Sequence, residues 1–187
     1  SPQFISTGGD KVTAYDPRTG DEIWHSTYDG FSLVPRPVFG HGLVFVPTGY
    51  NNPELHAIRV DGRGDVTDTH AAWTLTQGAP YNPSPLLVGD ELYIVSDNGV
   101  ATCLDARTGK QHWRQRLGGG FSASPVFADG RIYFLNESGE TTVIAPGIEY
   151  KEISKNKLPG RTLASLATSG RSIFLRSDTH LYRIEQP

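Results

Sequence analysis

Methionine is absent from the 187 residues, cysteine occurs once, and no long apolar run interrupts the chain. The missing methionine implies that residue 1 is not a translation start. An upstream stretch, with any targeting segment, is therefore expected to have been removed, and no signal peptide is visible in what remains. A lone Cys103 cannot close an intramolecular disulfide, so the redox compartment is not readable from it. Its apolar strand-like context predicts a small buried hydrophobe. Without a stretch of about 20 apolar residues there is no membrane-spanning helix. Charge is sparse too. Lys and Arg total 17 against 20 Asp and Glu, a net charge of -3, too mild to imply a nucleic acid or an anionic membrane as partner. Helical periodicity is also missing.

Glycine (21) and proline (13) are plentiful, which predicts many short strands joined by tight turns. A repeat organises them. Asp16-Pro17-Arg18-Thr19-Gly20, with Trp24, returns as Asp105-Ala106-Arg107-Thr108-Gly109, with Trp113, 89 residues later. A second phrase recurs more often. Pro37-Val38-Phe39, Pro85-Leu86-Leu87, Pro125-Val126-Phe127 and Leu166-Ala167-Thr168 each lead into an apolar strand, at spacings of 48, 40 and 41 residues. A period near 40 residues fits four strands, A to D, per blade of a β-propeller. The fold class is therefore all-β, with blades of four antiparallel strands in a single partial propeller of about four to five blades. Their bounds are about 1–28, 29–76, 77–117, 118–157 and 158–187.

Within a blade the residues have structural work. Asp16 and Asp105 accept backbone donors inside their turns. Gly20 and Gly109 take the left-handed conformation that closes them. Trp24, Trp73 and Trp113 offer large flat surfaces to the neighbouring blade. In the fourth repeat the tryptophan position reads as Tyr150. The second repeat lacks the Asp-x-x-Thr-Gly turn and carries a longer connection with Asp61, Asp65, Asp68 and His70. That cluster invites a metal reading, but calcium-loop spacing is absent and a solvated polar hairpin is favoured. The first repeat shows no strand A and the last no strand D. Simple closure into four or five full blades does not come out. Upstream blades of the same protein, or a second copy joined through open blade edges, are the expected partners.

The phrases Ala14-Tyr15-Asp16-Pro17-Arg18-Thr19-Gly20 with Trp24, and Cys103-Leu104-Asp105-Ala106-Arg107-Thr108-Gly109 with Trp113, resemble the PQQ-like, quinoprotein-type propeller repeat family. The resemblance covers essentially the whole chain and implies a parent ring of seven to eight blades. It is specific for the repeat, not for an activity. Members include quinoprotein dehydrogenases, non-enzymatic outer-membrane assembly factors and bacterial secreted proteins, and the C-terminal residues 162–184 are most similar to the last group. The resemblance implies a periplasmic or extracellular location and a non-catalytic binding or interaction scaffold. The alternative is a PQQ-dependent oxidoreductase with cofactor groups partly in upstream blades. Such enzymes hold PQQ above calcium and carry an adjacent cysteine pair, whereas only Cys103 exists here. No cofactor is expected in this segment, with PQQ and calcium as the alternative. No catalytic residue and no metal ligand is assigned.

Sites on propellers sit on the face formed by the D–A and B–C loops, because loops carry function on a rigid scaffold. Phe31, Tyr50, Asn51, Tyr81, Asn82, Phe121 and Arg161 supply that rim and could meet a small molecule, a sugar or a peptide. The recurrence of Phe31, Tyr81 and Phe121 at matching places also suits structural plugging. Gly118–Gly120 precede a strand rather than a helix, so they read as a loop, not a phosphate cradle. Asn136-Glu137-Ser138 fits a glycosylation sequon in a turn where such residues are expected anyway.

Overall fold

The computed structural model describes residues 2–50 and 52–185, and all of its regular elements are strands. The first blade holds β1 (Phe4–Thr7), β2 (Lys11–Tyr15) and β3 (Glu22–Thr27). The second holds β4 (Val38–Gly40), β5 (Leu43–Pro47), β6 (Leu55–Arg59) and β8 (Ala71–Leu75), with a two-residue β7 (Gly64–Asp65) between the last two. The third is β9 (Leu86–Val88), β10 (Glu91–Val95), β11 (Val100–Asp105) and β12 (Gln111–Arg116). The fourth is β13 (Val126–Ala128), β14 (Arg131–Leu135), β15 (Glu140–Ala145) and β16 (Lys151–Lys157), and the fifth β17 (Ala167–Ser169), β18 (Ser172–Arg176) and β19 (Leu181–Glu185). Within each blade the successive strands pair antiparallel in chain order, as the repeat predicts, and β7 alone joins a sheet, that of the first blade, in parallel. Apolar side chains on the facing surfaces of successive sheets pack together, so the core is a series of four inter-blade layers.

A tryptophan crosses each of the first three of these layers. Strand C carries a bulge beside its partner on strand D, between Ala14 and Tyr15, Ala57 and Ile58, and Cys103 and Leu104. A bulge re-aims the side chain next to it. The residues paired with Trp24, Trp73 and Trp113 are Ala14, Ala57 and Cys103, small enough to leave room for an indole. The Trp73 indole N–H donates to the Ala106 carbonyl at 3.1 Å, in the C–D turn of the next blade. Trp113 does the same to Gly147 at 3.0 Å. Trp24 reaches the second blade through a relay. Its indole donates to Gln3 Oε1 at 3.1 Å, and Gln3 Nε2 donates to the Val60 carbonyl at 3.0 Å.

The fourth blade corrects the expected alignment. Its strand C bulge lies between Val143 and Ile144, and the residue opposite Val143 is Ser154. Ser154, not Tyr150, therefore occupies the tryptophan position. Tyr150 precedes strand D, and its ring meets Trp113 of the preceding blade edge-on, at 5.3 Å and 72°. The strand C bulge is the same as in the other blades, but the C–D connection, counted between paired residues, is one residue longer than in the third blade, and Tyr150 lies in that turn before strand D begins.

The long connection in the second blade is not a free hairpin. β7 pairs parallel with β3 and becomes the outer strand of the first blade. Val66 is 1% exposed and lies in the layer between those blades, and its N–H donates to the His25 carbonyl at 2.9 Å. The Thr27 N–H donates to Thr67 Oγ1 at 3.0 Å. The strap thus covers an edge that would otherwise stay open to pairing.

A second inter-blade tie runs along the inner strands. The Arg36 N–H donates to Ser84 Oγ, Ser84 N–H to Ser124 Oγ, and Ser124 N–H to Ser165 Oγ, each at 2.9 Å. The donors and acceptors are 48, 40 and 41 residues apart, the spacings of the repeat itself.

Gly20 and Gly109 give a controlled pair of variants. Both hold positive φ, 79° and 72°. A Cβ on Gly109 would come within 2.7 Å of the Trp73 ring, while one on Gly20 would meet nothing within 4 Å. Gly109→Ala is expected to cost about 1–3 kcal/mol more than Gly20→Ala in urea unfolding, because only the former overpacks a blade contact. Equal costs would mean that the indole contact contributes nothing. Acid sensitivity follows from the same turn. Asp105 accepts from Thr108 Oγ1 at 2.7 Å, Thr108 N–H at 2.8 Å and Arg107 N–H at 3.1 Å. These bonds, that of the Thr108 side chain foremost, hold its carboxyl below the usual range. A lowered folded value gives stability that is present above the unfolded value and lost as pH falls through the folded one. The Asp105→Ala protein should therefore lose less stability than the parent on acidification below about pH 4.

Candidate functional site

The D–A and B–C loops meet on one face of the blades. Phe31 and Gly49 form a parallel bridge, and Tyr50 N–H donates to the Phe31 carbonyl at 2.8 Å. The Tyr50 and Tyr81 rings then meet edge-to-face at 6.0 Å and 71°. Phe31, Tyr50 and Tyr81 are 65%, 57% and 38% exposed. Three of the sequence-predicted rim residues are thus brought onto one aromatic ridge. A cleft of about 420 Å³ opens beside it, lined by Pro53, Tyr81, Asp97 and Arg114 among others.

Carboxylates pin the rim loops. Asp97 Oδ2 accepts the Tyr81 N–H at 2.7 Å, and its Oδ1 accepts Asn82 Nδ2 at 2.6 Å. Asn82 is therefore a loop anchor. Glu137 accepts Ser122 Oγ at 2.7 Å and lies 3.5 Å from the Arg161 guanidinium. Asp178 Oδ1 accepts the Arg161 N–H at 3.2 Å, and the Asp178 N–H returns to the Arg161 carbonyl at 2.9 Å. Arg161 is thus exposed and held at both backbone and side chain. Phe121 lies elsewhere. It is 2% exposed, packs in the layer between the third and fourth blades, and belongs to the core rather than the rim. Asn51 lies outside the described residues.

The acids Asp97, Glu137 and Asp178 were missed at the sequence level. Each directly follows the first residue after a strand B, and their regular recurrence was the signal. The serines Ser84, Ser124 and Ser165 were missed in the same way, each sitting immediately before the recurring apolar phrase. Both sets were hidden because small polar residues in loops read as ordinary turn formers.

Cys103 is fully buried, its thiol donates to the Gly147 carbonyl, and burial pushes its pKa up to about 12, far from a thiolate nucleophile. Asn136 is 4% exposed, and its Oδ1 accepts from the Ser138 and Glu140 N–H groups at 3.0 Å, so the sequon amide is committed to its hairpin. Among the described residues no three His, Cys, Asp or Glu side chains converge as a metal site would require.

The sequence matches the family described as outer membrane protein assembly factor BamB over residues 8–149. A relative of that description from Burkholderia pseudomallei is 39% identical over 115 residues, covering 60% of this chain and 29% of the relative. The crystal structure of BamB from Moraxella catarrhalis is similar at a TM-score of 0.75 and 19% identity, over 98% of this chain and 54% of that one. Quinohemoprotein alcohol dehydrogenase from Comamonas testosteroni is similar at 0.77 and 14% identity, over 98% and 40%. At these identities the two structures share a fold with the chain, and fold does not carry chemistry. The chain spans about half, or less, of the length of each of these proteins.

Asp97 is the test of rim rigidity. Asp97→Ala removes both acceptors from the Tyr81–Asn82 loop and is expected to cost about 1–3 kcal/mol, as losing charged hydrogen-bond partners does. Amide exchange at Tyr81 should accelerate, while the Trp73 indole N–H, held by the next blade, should not change.

Proposed function

The chain belongs to the outer membrane protein assembly factor BamB family, and from that premise we propose that it is a non-catalytic interaction scaffold exported to the bacterial periplasm or beyond, engaging partner proteins through its loop rim. The observation that carries this reading is the exposure of Phe31, Tyr50 and Tyr81 on one ridge. Tyrosine and phenylalanine are enriched where proteins meet, since they cover much area with few rotatable bonds. Their loops are tied to the blades by backbone and carboxylate hydrogen bonds. A surface ordered in advance loses less entropy on binding. The rim carboxylates already hold donors of the scaffold, which leaves the aromatic faces, Arg114 and the exposed Arg161 guanidinium among the groups a partner meets.

The quinoprotein alternative rests on a shared fold. That reading places part of its cofactor groups in upstream blades; this segment contributes no cluster of three ionisable donors among the described residues, and its one cysteine, Cys103, is buried on strand C.

The reading is tested in cells that lack their own BamB. Expression of this protein should restore assembly of β-barrel outer-membrane proteins, scored by heat-modifiable gel mobility. Tyr50→Asp combined with Tyr81→Asp, at equal protein level, should weaken partner binding about tenfold, as the loss of an interface anchor does. Full assembly by the double variant overturns the rim as the interface, and PQQ-dependent alcohol oxidation by the purified protein overturns the non-catalytic reading.

A further inference from the structure

The cleft beside the aromatic ridge treats its acceptors and its donors differently. It has a volume of about 420 Å³ and is lined by Pro53 of the second blade and by Gly78, Tyr81, Asp97, Asn98 and Arg114 of the third, among others. The side-chain acceptors each hold a donor of the scaffold. Asp97 takes the Tyr81 N–H at 2.7 Å on one carboxylate oxygen and Asn82 Nδ2 at 2.6 Å on the other. Asn98 Oδ1 takes the Ser96 hydroxyl at 2.6 Å.

The donors are not held in this way. Among the described residues Asn98 Nδ2 donates no hydrogen bond, and Arg114 neither donates one nor forms an ion pair, unlike Arg107, Arg131 and Arg161. The Arg114 guanidinium passes close to the Gly78 backbone, where an added Cβ would stand 3.7 Å from Nη2. Pro53 and the exposed Tyr81 ring supply apolar walls.

We propose that this cleft is a carboxylate site, in which Arg114 and Asn98 bind a carboxylate that a partner protein carries next to an apolar side chain. The proposal rests on the scaffold reading and names what the partner presents. A planar guanidinium meets a carboxylate through two parallel charge-assisted hydrogen bonds, which fixes orientation as well as sign. The Asn98 amide adds a neutral donor, and the neighbouring apolar group lies against Pro53 and Tyr81. Asp97 places a fixed negative charge in the same cleft, so a dianion such as phosphate is repelled more strongly than a carboxylate. The Asp97 bonds also order the Tyr81 loop before anything binds, which lowers the entropic cost of binding. An acidic side chain and a chain terminus offer the same chemistry, and the probes separate them.

The probes are N-acetyl-phenylalanyl-glutamate amide, with its carboxylate on a side chain, and N-acetyl-phenylalanyl-leucine, with its carboxylate at the chain end. Each is compared with its neutral amide counterpart by amide NMR of the isotope-labelled intact chain. A carboxylate probe should move the Gly78 and Tyr81 amides saturably at millimolar concentration. Its neutral counterpart should bind about tenfold more weakly, the change that 1.4 kcal/mol produces. The glutamate probe binding better assigns the site to an acidic side chain, and the leucine acid binding better assigns it to a terminus. Arg114→Gln should abolish the preference for the charged form, whereas Arg131→Gln, outside the cleft, should preserve it. An unmoved Trp73 indole N–H resonance reports intact blades in both variants. Inorganic phosphate should not displace the bound probe. Equal binding of charged and neutral probes, a preference that survives Arg114→Gln, or displacement by phosphate overturns the proposal. Probe binding by a protein that fails to restore barrel assembly sinks the scaffold role and leaves the carboxylate cleft standing, so the two readings fail separately.

Discussion

The arrangement depends on an indole that leaves one blade and hydrogen-bonds to the next. Trp73 and Trp113 each bury most of a large ring between two sheets and place the N–H on a carbonyl in the following C–D turn. Burial supplies the energy, since removing such a ring typically costs about 3–5 kcal/mol. The hydrogen bond supplies direction, because an indole N–H without a partner in that layer would cost much of what its ring gains. The features around the tryptophan exist to admit it. The bulge on strand C turns it outward and a small residue sits beneath it, and for Trp73 a glycine in the next turn, Gly109, lets the ring lie close.

Two blade junctions solve the same problem differently. At the first, Gln3 stands between the Trp24 indole and the Val60 carbonyl, so a side-chain amide spans a gap that direct contact closes elsewhere. The β7 strap adds a parallel pair across that junction and buries Val66. At the last, Ser154 stands in the tryptophan position. The fifth blade is held instead by the Leu135, Leu166 and Leu175 layer and by Thr162, which bonds to both Asn136 and Glu137. The inner serine ties continue through this junction unchanged. The blades therefore share two fastenings, one near the outer strands and one at the inner strands, and the inner one is the more regular.

With the blades fixed, the loop face becomes a rigid presentation surface. Asp97, Glu137 and Asp178 each accept hydrogen bonds from the loops beside them, which ties Tyr81, Ser122 and Arg161 to those loops. The Tyr50 and Tyr81 rings, Arg114 and the Arg161 guanidinium remain outward.

The architecture was legible in the chain itself. Recurrence of Asp-x-x-Thr-Gly with a following tryptophan, and of the apolar phrase every 40 residues or so, encodes a blade because each blade must bury the same face in the same way. Turn chemistry is local, so Gly20, Gly109, Asp16 and Asp105 were readable one by one. The rim was only half legible. Phe31, Tyr81 and Phe121 look alike in sequence, yet two are exposed and one is buried, because what covers a loop residue comes from other blades. The Ser154 register, the docking of β7 on the first blade and the Gln3 relay likewise depend on atoms brought together from distant positions. Sequence alone determined the repeat and its turns, through local backbone preference and periodic burial. Only the tertiary structure decided which side chains the blades enclose and which they leave exposed, since burial belongs to neighbours in space rather than in the chain.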